Sequence, residues 1–175
     1  MSRIVVTEYL TLDGVFEEPG EWSFPFFDEA VAKWKFDELF AADALLLGRK
    51  TYEGFAAAWP SYEDEVGFAD RMNGMPKHVV SSTLRDPEWN NTHVVSLGEL
   101  AGLPAENLLV AGSGQLVHAL LEQGFVDELR LLVHPLVRGK GAQLFADGLP
   151  TRSFELAELE QFATGTVALT YRPAA

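Results

Sequence analysis

Two short glycine turns carry the residues best suited to chemistry. In Ala44-Leu-Leu-Leu-Gly-Arg-Lys-Thr-Tyr-Glu-Gly-Phe55 an apolar run ends at Gly48, Arg49 and Lys50 follow at once, and Thr51 stands where a helix would begin. That order gathers backbone N–H groups, a hydroxyl and two cations at the carboxyl end of a strand, which suits a phosphate. Ala111-Gly-Ser-Gly-Gln115 repeats the pattern, with Gly112, Ser113 and Gly114 between an apolar run and a helical one. Each turn alone also reads as an ordinary strand-to-helix connection. Together they point to a ligand with a long anionic tail, for which a dinucleotide is the candidate.

A third group surrounds the end of the first strand. Asp13 precedes Gly14 and is either a turn-former or an acid that orients a substrate and relays a proton. Trp22, Phe24, Phe26 and Phe27 crowd a loop with two prolines, and form a stacking wall for a flat substrate, a plug over the core or a subunit contact. The four histidines lack the i, i+4 spacing of a metal helix, and no cysteine is present, so no metal site is expected. Tyr52 reads as a structural hydrogen-bonding group. Asp127 and Glu128 read as caps of the sheet and local partners of Arg130.

These groups need elements to place them. Strands are expected at Arg3–Tyr9, Ala44–Leu47, Lys77–Ser81, His93–Ser96, Leu108–Ala111 and Val126–Val133, with a closing pair at Ser153–Leu159 and Thr164–Arg172 around Gly165. Helices are expected over Asp28–Ala42, Thr51–Ala58 and Gln115–Gln123, with a short acidic helix or loop at Glu63–Met72. Strands alternate with helices for two thirds of the chain and then stand alone. That order predicts a single α/β domain over residues 1–175, with a mostly parallel sheet, helices on both faces and an antiparallel edge.

Of the 175 residues, 47% are hydrophobic and 22% charged, as in globular domains. A net charge of −13 disfavours nucleic acid and anionic membranes as partners. No apolar run approaches the roughly 18 residues of a membrane helix, and a cytoplasmic protein is expected. An anionic ligand would depend on nearby cations, namely Arg49, Lys50 and Lys77, because screening at physiological salt limits distant charges to a range of about 8 Å.

Five segments, in order, resemble the dihydrofolate-reductase-like superfamily. The closer resemblance is to single-domain proteins similar to the C-terminal reductase domain of the bifunctional riboflavin-biosynthesis deaminase/reductase. The segments are Leu10-Thr-Leu-Asp-Gly14, Leu47-Gly-Arg-Lys-Thr-Tyr52, Val80-Ser-Ser82, Ala111-Gly-Ser-Gly114, and Val126-Asp-Glu-Leu-Arg130 continuing through Pro135 to Gly139-Lys-Gly141 and Leu144-Phe145. They span residues 3 to 172. The resemblance implies a three-layer fold on a mixed sheet of eight strands, a homodimer, and bound NADPH.

By the same resemblance Gly48, Arg49, Lys50 and Thr51 hold phosphates, with Arg49 on the adenosine 2′-phosphate. Ser81 and Ser82 lie at the adenosine side, and Gly112, Ser113 and Gly114 admit the pyrophosphate. Folate reductases carry an acid early in the first long helix, a region matching roughly residues 28 to 35, where Asp28 and Glu29 are the available acids. Nothing in the sequence matches the zinc-binding set of the deaminase domain. The expected activity is hydride transfer from NADPH to a small flat heterocycle of pteridine, pyrimidine or flavin-precursor type. Trp22 and Phe27 would line the substrate, and Asp13 and Asp28 are the candidate acids. The alternative is a nucleotide-binding protein that keeps the cleft without turnover.

Overall fold

The computed structural model describes residues 2–104 and 107–175. Strands β1 (Arg3–Leu10), β2 (Ala44–Gly48), β3 (Lys77–Val80), β4 (Thr92–Val95), β5 (Asn107–Ala111), β6 (Glu128–Val133), β7 (Phe154–Gln161) and β8 (Val167–Pro173) form one sheet, in the order β4-β3-β2-β5-β1-β6-β8-β7. The first six strands in that order are parallel, and β8 and β7 close the sheet antiparallel. This is the predicted mixed, mostly parallel α/β sheet. Central strands such as Ala44–Leu47 are continuously apolar because helices cover both faces.

The helices are α1 (Glu29–Ala41), α2 (Arg49–Ala58), α3 (Phe68–Gly74) and α4 (Gly114–Gln123). On one face Leu39, Tyr52 and Met72 pack with Val5, Leu45, Leu47 and Val79. On the other, Leu116, Val117, Leu120 and Leu121 of α4 pack against Ile4, Val6, Leu46 and Val110. Each i, i+2 alternation along β1 therefore feeds a separate core. Asp28 caps α1, its Oδ1 accepting from the Val31 N–H at 2.9 Å.

Several boundaries differ from the sequence reading. Helix α2 starts at Arg49, so Thr51 lies inside its first turn. The acidic stretch before Phe68 stays non-helical, and Asp64 Oδ1 instead accepts from the N–H groups of Val66, Gly67 and Phe68, which stops it from joining the helix. β6 begins at Glu128, because Asp127 turns its carboxylate to the Ile4 N–H at 2.8 Å. β8 begins only at Val167, after a turn in which Gly165 takes φ +88°.

β7 is the outer strand. Its neighbours in register put Leu156 beside Tyr171 and Leu159 beside Leu169, in rows that continue to Leu129 and Leu131 on the α4 face. Leu156 and Leu159 are 51% and 60% exposed.

Candidate functional site

The two glycine turns meet. The Gly48 N–H donates to Ser113 Oγ at 2.9 Å, and the Ser113 N–H donates to Thr51 Oγ1 at 2.9 Å. This reciprocal clasp joins the first turn of α2 to the residue that opens α4. Gly112 has φ +60°, and a Cβ there would come within 3.1 Å of Thr51 Oγ1. A side chain at this position would therefore crowd the clasp and strain the backbone. Ser113 also sits at positive φ, 62°.

Neither α2 nor α4 has a side-chain cap on its N-terminus. Two helix starts, side by side at the carboxyl ends of β2 and β5, present free N–H groups and the positive ends of two helix dipoles. Open parallel sheets bind ligands at this edge. A diphosphate suits such a cradle, and the residues present fit a nucleotide tail. The Phe16 ring lies over Gly114, where an added Cβ would meet its Cζ at 2.4 Å. Phe16, Gly114, Gln115, His118 and the 141–147 segment line a groove of about 600 Å³ beside the start of α4.

Arg49 bridges to the next strand end. Its Nε donates to Glu53 Oε1 at 2.8 Å and one terminal nitrogen donates to Thr83 Oγ1 at 2.9 Å. Ser81 Oγ accepts from the N–H groups of Thr83 and Leu84. Arg49, Ser81 and the Ser82–Thr83 turn therefore form one exposed corner next to the clasp. Lys50 is exposed at the second position of α2.

Lys77 is not part of this corner. It is fully buried, and Nζ donates to the carbonyls of Asn73, Met75 and Asn90 at 2.8–2.9 Å, 4.3 Å from the Trp89 ring centroid. Burial pushes its ammonium down to about 8. Its position at the start of β3 makes it a tie between α3 and the sheet. Tyr52 has the expected structural bond, its hydroxyl accepting from the Trp89 N–H at 3.1 Å.

The two candidate acids are both engaged. Asp13 accepts from the Thr11 hydroxyl, from the Gly139 N–H at 2.8 Å and from the Arg138 N–H at 3.1 Å. Those bonds, the Thr11 hydroxyl first, lower its carboxyl to about 2. It fastens the 138–139 loop to the end of β1. Asp28 caps α1 through Oδ1. Trp22 is buried, donates from Nε1 to the Glu17 carbonyl, and meets His134 edge-on at 5.1 Å. It is the plug of the aromatic loop, whereas Phe27 is 46% exposed. Among the described residues no cluster of His, Asp and Glu could hold a metal.

Sequence reasoning missed a charged layer on the α1 face. Lys35 Nζ donates to Thr7 Oγ1 at 3.1 Å and pairs with Glu38, which also lies 3.6 Å from Arg130. Glu128, one turn of the strand pleat below, binds Arg130, Arg172 and Arg3. Burial alone would raise the Glu128 carboxyl, and Arg130 with its fellow cations lowers it instead. Glu8 points to the opposite face. It is 4% exposed with Oε1 unpartnered, and burial holds its carboxyl well above the usual carboxylate range. The available signal was a glutamate and a threonine inside an otherwise apolar strand.

The sheet order and the helices on both faces define an α/β domain of the dihydrofolate-reductase-like fold. The chain belongs to the RibD C-terminal domain family, whose model matches residues 2–168. The uncharacterized protein YyaP of Bacillus subtilis (strain 168) is 27% identical over 178 residues, covering 97% of this chain and 94% of that one. A candidate riboflavin biosynthesis protein from Shewanella sp. PV-4 superposes with a TM-score of 0.80 at 18% identity, over 99% of both chains. A pyrimidine reductase-like protein from Corynebacterium diphtheriae superposes with a TM-score of 0.68 at 15% identity, over 99% of this chain and 92% of that one. No helix among the described residues is long and apolar enough to cross a membrane.

Proposed function

We propose that the chain is an NADPH-dependent reductase that passes a hydride to a small flat heterocycle. The carrying observation is the clasp of two uncapped helix starts at the carboxyl ends of β2 and β5. In this reading the diphosphate lies over Gly48, Lys50, Thr51 and the Gly112–Gly114 turn. Arg49, Ser81 and Ser82 hold the adenosine side, with Arg49 choosing the 2′-phosphate. The bound cofactor supplies the hydride, and the protein supplies position and electrostatics. Phe27 is the exposed aromatic left to stack on the acceptor. The proton comes from water, because Asp13 and Asp28 are both occupied.

That engagement of both acids favours the second reading, a nucleotide-binding protein without turnover. Fluorescence titration with NADPH and NADH in parallel tests the shared part. Saturable micromolar binding that prefers NADPH supports the cofactor assignment, and no binding by folded protein refutes it. Oxidation of NADPH across a panel of pteridines, pyrimidines and flavin precursors then separates reductase from binder. The reading places the protein in the cytoplasm as a homodimer, paired through the exposed α4-side face of β7 and β8. Sedimentation at a single-chain mass would refute the dimer.

A further inference from the structure

Lys35 stands on the inward stripe of α1, four residues from Val31 and three from Glu38. The register of the sheet sets its height. Thr7, which accepts from Lys35, pairs with Ala111 of β5 on one side and Arg130 of β6 on the other. Ala111 is the last residue before the Gly112 turn, so the ammonium lies level with the strand end that carries half of the clasp.

The surroundings are unusual for a structural ion pair. Nζ is 5.2 Å from the Tyr9 ring centroid and 5.6 Å from that of Trp34. Both rings are only partly buried, and the Lys35 side chain keeps 16% of its surface exposed. Behind it, Lys35, Arg130, Arg3 and Arg172 share the two carboxylates of Glu38 and Glu128. Lys35 and Arg130 meet at Glu38, while Arg3, Arg130 and Arg172 meet at Glu128, so cations cluster along this face of a chain whose net charge is −13. Fields from close groups outweigh distant ones at physiological salt.

We propose that Lys35, on the α1 face and level with the carboxyl end of β5, is a substrate-binding cation, and that the hydride acceptor is a flat conjugated carbonyl compound whose oxygen Lys35 holds. The inference rests on the reductase reading above. An ammonium donates hydrogen bonds and accepts none, so the edge it meets must carry an acceptor. Its aromatic neighbours suit a planar ring. Hydride adds to an electrophilic carbon of the conjugated system, one π bond breaks, and its electron pair moves to the oxygen. The oxyanion is held by the ammonium, and a proton from water completes the reduction. The reductant is the reduced nicotinamide nucleotide, which leaves oxidised. Burial alone would lower the Lys35 ammonium, and Glu38 outweighs it, which keeps the cation charged.

Calorimetric titration with 2-naphthoate and its neutral isostere 2-naphthamide tests the cation directly, with and without NADP⁺. Wild-type protein is expected to bind the carboxylate tighter by about tenfold, the value of one charge-assisted hydrogen bond. Lys35→Met alone would strand Glu38 beside Arg130, so the informative variant is Lys35→Met with Glu38→Gln. It is expected to bind both probes equally while its NADPH affinity stays that of wild type, and Lys35→Arg is expected to retain the preference. Equal binding of the two probes by wild type overturns the proposal, as does a preference that survives in the folded double variant. If NADPH fails to bind wild type, the reductase reading falls, and the probe preference of the free protein still decides the role of Lys35.

Discussion

Replacing Thr51 by valine tests whether the two glycine turns work as one. Valine keeps the shape of threonine and removes the oxygen that accepts from the Ser113 N–H at 2.9 Å. That N–H is part-buried, so the change leaves a donor facing a methyl group. The cost of an unsatisfied buried donor is about 1–3 kcal/mol. For a chain of this size each kcal/mol moves the melting temperature by about 2–4 °C, giving an expected drop of about 2–12 °C. Ser113→Ala removes the other half of the clasp, the acceptor for the Gly48 N–H. Because the two bonds share one junction, the double variant should fall short of additivity by about 0.5 kcal/mol or more. Thermal unfolding with and without NADPH measures both effects in one experiment. If the clasp aims both helix starts at a shared diphosphate, Thr51→Val should also weaken NADPH about tenfold, which corresponds to about 1.4 kcal/mol. Unchanged affinity in a destabilised but folded variant would refute the shared site. Unchanged stability would refute the clasp.

Arg49→Ala should weaken NADPH by about 1–3 kcal/mol and leave NADH nearly untouched, as parallel titrations would reveal; equal loss for both removes Arg49 from the 2′-phosphate. Lys77→Met strips three backbone carbonyls of their donor, and urea unfolding should register a loss of about 3 kcal/mol or more. His134 donates from Nδ1 to the Leu132 carbonyl at 2.9 Å beneath Tyr9, Trp22 and Phe26, and burial lowers its imidazolium below the usual value. The unfolded chain then binds more protons than the native one as pH falls through about 6.5, so stability from this group is complete above that pH and declines below it. His134→Asn should flatten the unfolding free energy between pH 7 and pH 5 relative to wild type; an identical slope would remove His134 as the cause.

Much of this arrangement was legible from local pattern. Ala44–Leu47 and Leu108–Ala111 are short, apolar and closed by glycine, and that shortness with a glycine stop favours strands buried on both faces. The helix-opening residues after them were legible too, and α2 and α4 do start at the carboxyl ends of β2 and β5. Asp13 and Asp28 were harder, because a carboxylate at a turn or helix start looks alike in sequence whether it caps a backbone or faces a ligand. Only the N–H groups of Gly139, Arg138 and Val31 decide, and two of those lie more than a hundred residues away from Asp13. Lys35 and Glu38 drew no notice in the sequence, where they are two of the charges that separate the apolar positions of α1. Their partners, Thr7 and Arg130, come from strands whose adjacency to the helix is set by the fold. Lys77 misled for the same reason, since nothing local announces that three carbonyls converge on it.

The outer strand of the sheet bears on how the protein behaves when concentrated. An uncovered strand edge is a template on which further copies can add. In β7 the register places Glu155, Glu158 and Glu160 beside Arg172, Thr170 and Ala168, on the face opposite Leu156 and Leu159, and the ladder is broken by an irregularity between Leu156 and Glu158. Copies stacking edge to edge would bring these carboxylates together and would meet a kinked ladder. The strand thus refuses endless sheet extension while leaving its leucine face available, a division that lets a sticky surface persist in a molecule that must stay dispersed.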